Sequence, residues 1–186
     1  MSASYRPMCV DLLDAVPLKT LRLTLEPLRV DHAAEMTPVL ADTSLYAFTG
    51  GEPPSLAELR ARYERQVTGR SPDGAEAWLN WIVRRRDDGQ AVGFVQAAIS
   101  IDPPPPAPTT AVLAWVLGVG YQGMGYAREA GDALVGWLAL QGVQRLVAYI
   151  HPEHTASMAV ARTLGLEPTD DRVDGEVVWA TLTGSG

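Results

Sequence analysis

The chain predicts an α/β sandwich on a mixed sheet, in the order β-α-α-β-β-β-α-β-α-β-β. Three observations carry this. Apolar residues recur with a period of two in some segments and of 3.6 in others. Two turn signals, Asp87-Asp88-Gly89 and Asp174-Gly175, sit between strand-like runs and call for hairpins. A buried strand that runs through glycines into a helix, and then into another strand, calls for a crossover.

Leu21, Leu23 and Leu25 alternate with Arg22, Thr24 and Glu26, a half-buried strand that Pro27 ends. Asp31 can cap a short helix, Ala33 to Ala41, which Pro38 disturbs; His32 reads as a surface residue at its start. Phe48 to Pro54 is a loop. Ser55 and Glu58 form a capping box, and Leu56, Leu59, Tyr63 and Val67 follow at helical spacing up to Gly69. Ala77 to Arg86 and Ala91 to Ile101 read as paired strands. Asp102 to Thr110 holds five prolines and reads as a stiff, solvated connection. The apolar run Ala111 to Val119 is a buried strand. A glycine-rich turn, Gly118 to Gly125, opens a helix over Ala127 to Gln141, with Gly142 at its C-terminal stop. Arg145 to Ile150 is a strand broken by His151-Pro152. Thr155 to Leu164 is a helix ended by Gly165, and short strands near Thr169–Val173 and Val177–Leu182 flank the last hairpin. The five tryptophans read as core residues.

The 186 residues fit one domain, residues 18–186, behind an N-terminal arm of residues 1–17. The net charge of −7 gives no bulk attraction to nucleic acid or to an anionic membrane, and by steering it favours a basic partner. Cys9 is the single cysteine, which excludes an intrachain disulfide and a cysteine-based zinc site; three scattered histidines make no metal site either. No basic segment followed by an apolar run opens the chain, so the expectation is a cytoplasmic protein. A homodimer is left open.

The informative stretch is Ala114 to Ala130. Glycines let a backbone approach a ligand closely, and the free N–H groups of a helix start then face it with the positive end of the macrodipole behind them. Such a site suits phosphate or pyrophosphate. No Gly-Lys-Ser/Thr follows, which excludes a P-loop. Gly118-x-Gly120-x-x-Gly123 matches a dinucleotide fingerprint. However, the helix starts too late for it, no acidic residue ends the next strand, and hairpins precede it.

Gln122-x-x-Gly125-x-Ala127 resembles the Q/R-x-x-G-x-G/A motif of the GNAT superfamily of acyl-CoA N-acyltransferases. The string Tyr121 to Ala130, the segment His151-Pro152-Glu153-His154-Thr155-Ala156-Ser157 and Leu164-Gly165-Leu166 are similar to the ribosomal-protein N-terminal acetyltransferase (RimJ/RimL-like) branch. Coverage runs over about residues 18–183. The resemblance implies a mostly antiparallel twisted sheet with helices on both faces. It implies acetyl-CoA as co-substrate, no metal, and transfer to a primary amine on a small molecule or peptide N-terminus.

It also implies site residues. Backbone N–H groups of Leu117, Val119, Gln122, Gly123, Met124, Gly125, Tyr126 and Ala127 would line the cofactor, with His154 and Ser157 beside it. A splay between the Leu117–Val119 strand and the Leu146–Ile150 strand would free donors for the reacting oxygen. Ser157 is assigned near the sulfur; its alternative is a hydroxyl that satisfies the helix start. Asp171 and Glu52 are the carboxylates placed nearest an acceptor, and Trp78 or Trp81 could line its groove. Glu129 is read as support for the helix dipole. The tyrosine that many relatives use as general acid corresponds to Ala161, and their asparagine corresponds to His154. A second reading follows from those two departures: an acyl-CoA-binding module with little or no turnover, acting as sensor or subunit.

Overall fold

The computed structural model describes residues 13–101 and 108–181. Cys9, most of the N-terminal arm and most of the proline-rich connection lie outside them. In chain order the elements are β1 (Leu18–Lys19), β2 (Leu23–Pro27), α1 (Ala33–Val39), α2 (Leu56–Gln66), β3 (Glu76–Arg85), β4 (Ala91–Ser100), β5 (Thr110–Leu117), α3 (Tyr126–Leu140), β6 (Arg145–Ile150), α4 (Thr155–Thr163), β7 (Leu166–Val173) and β8 (Glu176–Thr181). All eight strands join one sheet in the order β1-β2-β3-β4-β5-β6-β8-β7. Every pairing is antiparallel except β5 with β6, which the crossover through α3 makes parallel.

Alternation along β3 sets the two layers. Trp81 and Val83 face one side, where α3 and α4 supply Leu134, Leu138 and Ala161. Ile82 faces the other side, where α1 and α2 supply Met36, Leu59 and Tyr63, joined by Leu40 just after α1. Trp81 is fully buried; its indole N–H donates to the Val16 carbonyl at 2.7 Å, and its ring meets Trp137 edge-on at 5.5 Å. Residues before β1 are thereby tied to the sheet. Burial of each such large apolar side chain stabilises the fold by about 1.5–3 kcal/mol.

Four sequence expectations are corrected. A two-residue strand, β1, precedes the expected first one. Leu21 is 87% exposed and lies in the turn between β1 and β2, so the alternation that counts begins at Leu23. His32 is buried rather than superficial: its Nδ1 accepts the Arg29 N–H at 3.1 Å, and burial lowers its pKa. β7 begins at Leu166 and tolerates Pro168 because it is an edge strand. The tryptophans are mostly core residues as expected: Trp81 and Trp179 are fully buried, half-buried Trp115 and Trp137 pack against the larger core cluster, and Trp78 is half-buried.

One glycine is dictated by close approach. Gly93 of β4 pairs with Leu117 at the end of β5. A methyl group there would overlap the Val116 carbonyl oxygen and lie 2.9 Å from the Leu117 Cα. Gly93→Ala is expected to destabilise the protein by about 1–3 kcal/mol, as overpacking of a rigid site does. Denaturant unfolding checks this, and an unchanged midpoint would show that the strand end yields freely.

Candidate active site

β5 and β6 share only three residue pairs, Thr110 with Arg145, Ala111 with Leu146 and Val112 with Val147. Beyond them β5 runs on to Leu117 along β4, while β6 runs on to Ile150 along β8. A wedge therefore opens between the carboxyl ends of the two strands. Every second residue of β5 past Val112 turns unpaired backbone groups toward it. Ligands of α/β sheets bind at such carboxyl-end openings.

The glycine-rich turn rims this wedge. After Leu117 come a 3₁₀ turn, Val119–Tyr121, and then α3. The Gln122 side chain donates to the Leu117 carbonyl at 3.0 Å and fastens the turn to the strand end. Gly125, at φ 78°, sits in the left-handed region that glycine adopts at least cost, and it caps α3 without a side chain. Among the described residues, the N–H groups of Gly123, Met124 and Gly125 make no hydrogen bond. Those of Tyr126, Ala127 and Arg128 occupy the first helical turn, where no i−4 carbonyl exists. Six consecutive donors thus stand at the positive end of α3. Leu117 and Tyr126 are buried beneath them, and the Val119 and Met124 side chains turn out to solvent.

Arg22 completes the loop, and sequence reasoning did not place it there. Its Nε donates to the Glu129 carboxylate at 2.6 Å, its Nη1 donates to the Met124 carbonyl at 2.9 Å, and its guanidinium lies 4.7 Å from the Tyr126 ring centre. Glu129 also accepts the Thr20 hydroxyl at 2.5 Å and the Arg22 N–H at 2.8 Å. Burial opposes its charge, but these bonds outweigh it and hold the carboxyl below its usual range. Glu129 is therefore the anchor of Arg22, more than the dipole support expected of it. Built on Gly125, a Cβ would meet Arg22 Nη2 at 3.4 Å and nothing nearer. The space in front of the donors is open and carries a cation at its edge, which fits a pyrophosphate.

At the other lip of the wedge, β6 passes through His151 into α4. His154 stacks on Phe48 at 4.6 Å, and His151 lies 5.3 Å from the same ring. Burial, and then His151, lower the pKa of His154, so its ring is neutral near pH 7. Phe48 pins the loop that carries Glu52 against the end of β6; no local pattern in the sequence marks that contact. Ser157 lies half-buried in the first turn of α4, and its hydroxyl makes no hydrogen bond among the described residues, so it does not cap the helix. Glu52 is exposed. Asp171 is exposed in the irregular stretch of β7 between Pro168 and Arg172, two strands from Ile150 or about 10 Å. The structure brings the eight loop residues together and sets His154 and Ser157 at the opposite strand end; Asp171 stands apart at the sheet edge. Among the described residues no three His, Cys, Asp or Glu side chains cluster as metal ligands. No helix there is long and apolar enough to cross a membrane.

Residues 22–167 match the acetyltransferase (GNAT) domain family. No curated protein matches the sequence. Among solved structures, an acetyltransferase from Agrobacterium tumefaciens is 27% identical, with 90% of this chain and 95% of that one covered at a TM-score of 0.65. A GNAT-family acetyltransferase from Bacillus anthracis is 17% identical, with 90% and 99% covered at 0.71. RimL, a ribosomal L7/L12 alpha-N-protein acetyltransferase solved with coenzyme A, is 16% identical, with 89% and 97% covered at 0.70. With the family matched over most of its length and the six-donor loop where a coenzyme A pyrophosphate can lie, the chain belongs to the GNAT family of acetyl-CoA-dependent acetyltransferases.

Proposed function

We propose that the protein is a cytoplasmic N-acetyltransferase whose acceptor is a primary amine, on a peptide N-terminus or a small molecule, attacking directly. The observation that carries this is the row of unpaired N–H groups from Gly123 to Arg128 beside the β5–β6 wedge. Acetyl-CoA supplies the acetyl group as a thioester. The row holds its pyrophosphate, and Arg22 adds positive charge at the rim. The β5 backbone past Val112 donates to the reacting carbonyl oxygen. His154, neutral and beside the wedge, takes the position at which relatives carry asparagine. Ser157, with an unused hydroxyl, donates to the departing sulfur. Glu52, on the loop pinned by Phe48, is the carboxylate assigned to removal of the ammonium proton.

Two variants test the roles. Gly125→Asp places a carboxylate before the six donors and is expected to weaken coenzyme A binding at least tenfold, about 1.4 kcal/mol. Gly142→Asp is the control: it shares the positive φ, at 79°, and lies past the far end of α3, so it lowers stability and leaves the affinity alone. Calorimetry on both folded variants decides, and full-strength binding by Gly125→Asp would remove the loop from the cofactor site. Ser157→Ala is expected to lower kcat in a thiol-release assay against an amine panel and to spare cofactor affinity, since its partner gains charge only as the reaction proceeds. Unchanged turnover would assign the sulfur another donor.

A further inference from the structure

The face of the sheet under α2 carries a second feature. Ladder registry places Trp78, Ala98 and Val112 in one row, Asn80, Gln96 and Ala114 in the next, and Ile82, Phe94 and Val116 in a third. The third row is packed beneath α1 and α2, as a sheet face should be. The second is polar at two of its three positions. Here the sheet and the C-terminal half of α2 enclose a cleft of about 340 Å³, next to a smaller recess of about 60 Å³. Arg62 and Arg65 overhang the cleft, and among the described residues they are the only charged side chains lining it or the recess.

The polar groups in this cleft are unspent. Neither arginine makes an ion pair, and the side chains of Gln66, Asn80 and Gln96 make no hydrogen bond among the described residues. Tyr63 is 4% exposed, lines the recess, and its hydroxyl has no partner. Burial pushes that hydroxyl up to about 12, so it stays protonated as a donor. Fold stability does not explain this set, because an unpaired buried hydroxyl costs free energy unless something else engages it.

The cleft also leads to the reacting centre. Val112 is the last residue of β5 paired with β6, so on this face the row Asn80–Gln96–Ala114 is the first to end on the free edge of β5. Gln96 therefore lies one strand spacing from the β5 edge of the wedge and two, about 10 Å, from its β6 side. That is the reach of about three residues of extended peptide.

We propose that this cleft is the acceptor subsite and that it selects peptide α-amines with an acidic side chain about three residues behind the nitrogen. The carboxylate meets Arg62 and Arg65, while Tyr63, Asn80 and Gln96 hydrogen-bond the intervening peptide. This rests on the N-acetyltransferase reading above. It also sets the local charge against the global one: the net charge of −7 steers basic molecules to the surface, and the cleft itself accepts an acid.

The test separates binding from turnover. Peptides of equal length with Asp, Asn or Lys at the fourth position are titrated into the coenzyme A-loaded protein and also assayed with acetyl-CoA. The Asp peptide is expected to bind at least tenfold more tightly than the Lys peptide, with a correspondingly lower KM. In Arg62→Glu/Arg65→Glu the order reverses, while calorimetric coenzyme A affinity stays unchanged. Tyr63→Phe raises KM for the Asp peptide and leaves kcat in place. Equal binding of the three peptides, or an order unmoved by the charge reversal, overturns the proposal. Ordered binding with no thiol release from any peptide keeps the subsite and contradicts the transferase reading instead. Should the double variant fail to fold, Arg65→Gln alone is expected to narrow the Asp-to-Lys difference at least threefold, and an unnarrowed difference counts against the cleft.

Discussion

Parallel pairing between β5 and β6 lasts for three residues and then stops. Each strand is still held on its other side, β5 by β4 and β6 by β8, so neither can close the opening. The chain crosses from one lip to the other through α3, and this fixes the helix start at the mouth of the wedge. Gly93 lets β5 press close to β4 at Leu117, five residues past the last β5–β6 pair, where the glycine-rich turn begins. Gln122 ties the turn to the last strand carbonyl, and Gly125 delivers the helix without a side chain in the way. In the function proposed, the chemistry rests on β5 backbone groups that this divergence leaves unpaired, and cofactor binding on those at the start of α3.

Electrostatics then divides the surface. Glu129 spends its charge on Arg22, whose guanidinium is held at the rim of the loop by two hydrogen bonds, to Glu129 and to the Met124 carbonyl. Its side chain remains 45% exposed, so the pairing matters more for position than for stability. On the other face, Arg62 and Arg65 make no ion pair among the described residues. An acidic chain thus keeps separate cationic points, one at the loop and two at the cleft. Neither follows from the net charge.

The glycine loop was legible in the sequence because its physics is local: a strand, a turn that needs glycine, and a helix start follow one another within thirteen residues, Leu113 to Gly125. Both hairpins and the two-layer order were legible for the same reason. Leu21 and His32 depart from their sequence pattern because period and residue type do not say which residue falls in a turn or under a neighbouring element. The Arg22–Glu129 clamp joins residues 107 apart and leaves no local trace. Asn80 and Gln96 do interrupt apolar alternation, but only the strand register sets them side by side beneath Tyr63, with Gln96 one strand in from the free edge of β5. The wedge itself came only with the family resemblance, since nothing in either strand's composition says where pairing ends.

Thermal unfolding with and without ligand tests the central claim most directly. If the loop and wedge hold acetyl-CoA, a concentration of 100 times Kd stabilises the fold by about 2.7 kcal/mol. For a chain of this size that raises Tm by about 5–10 °C. NAD, whose glycine fingerprint the loop matches only in spacing, should give no comparable rise. A rise with NAD and none with acetyl-CoA would contradict the assignment of the loop to coenzyme A.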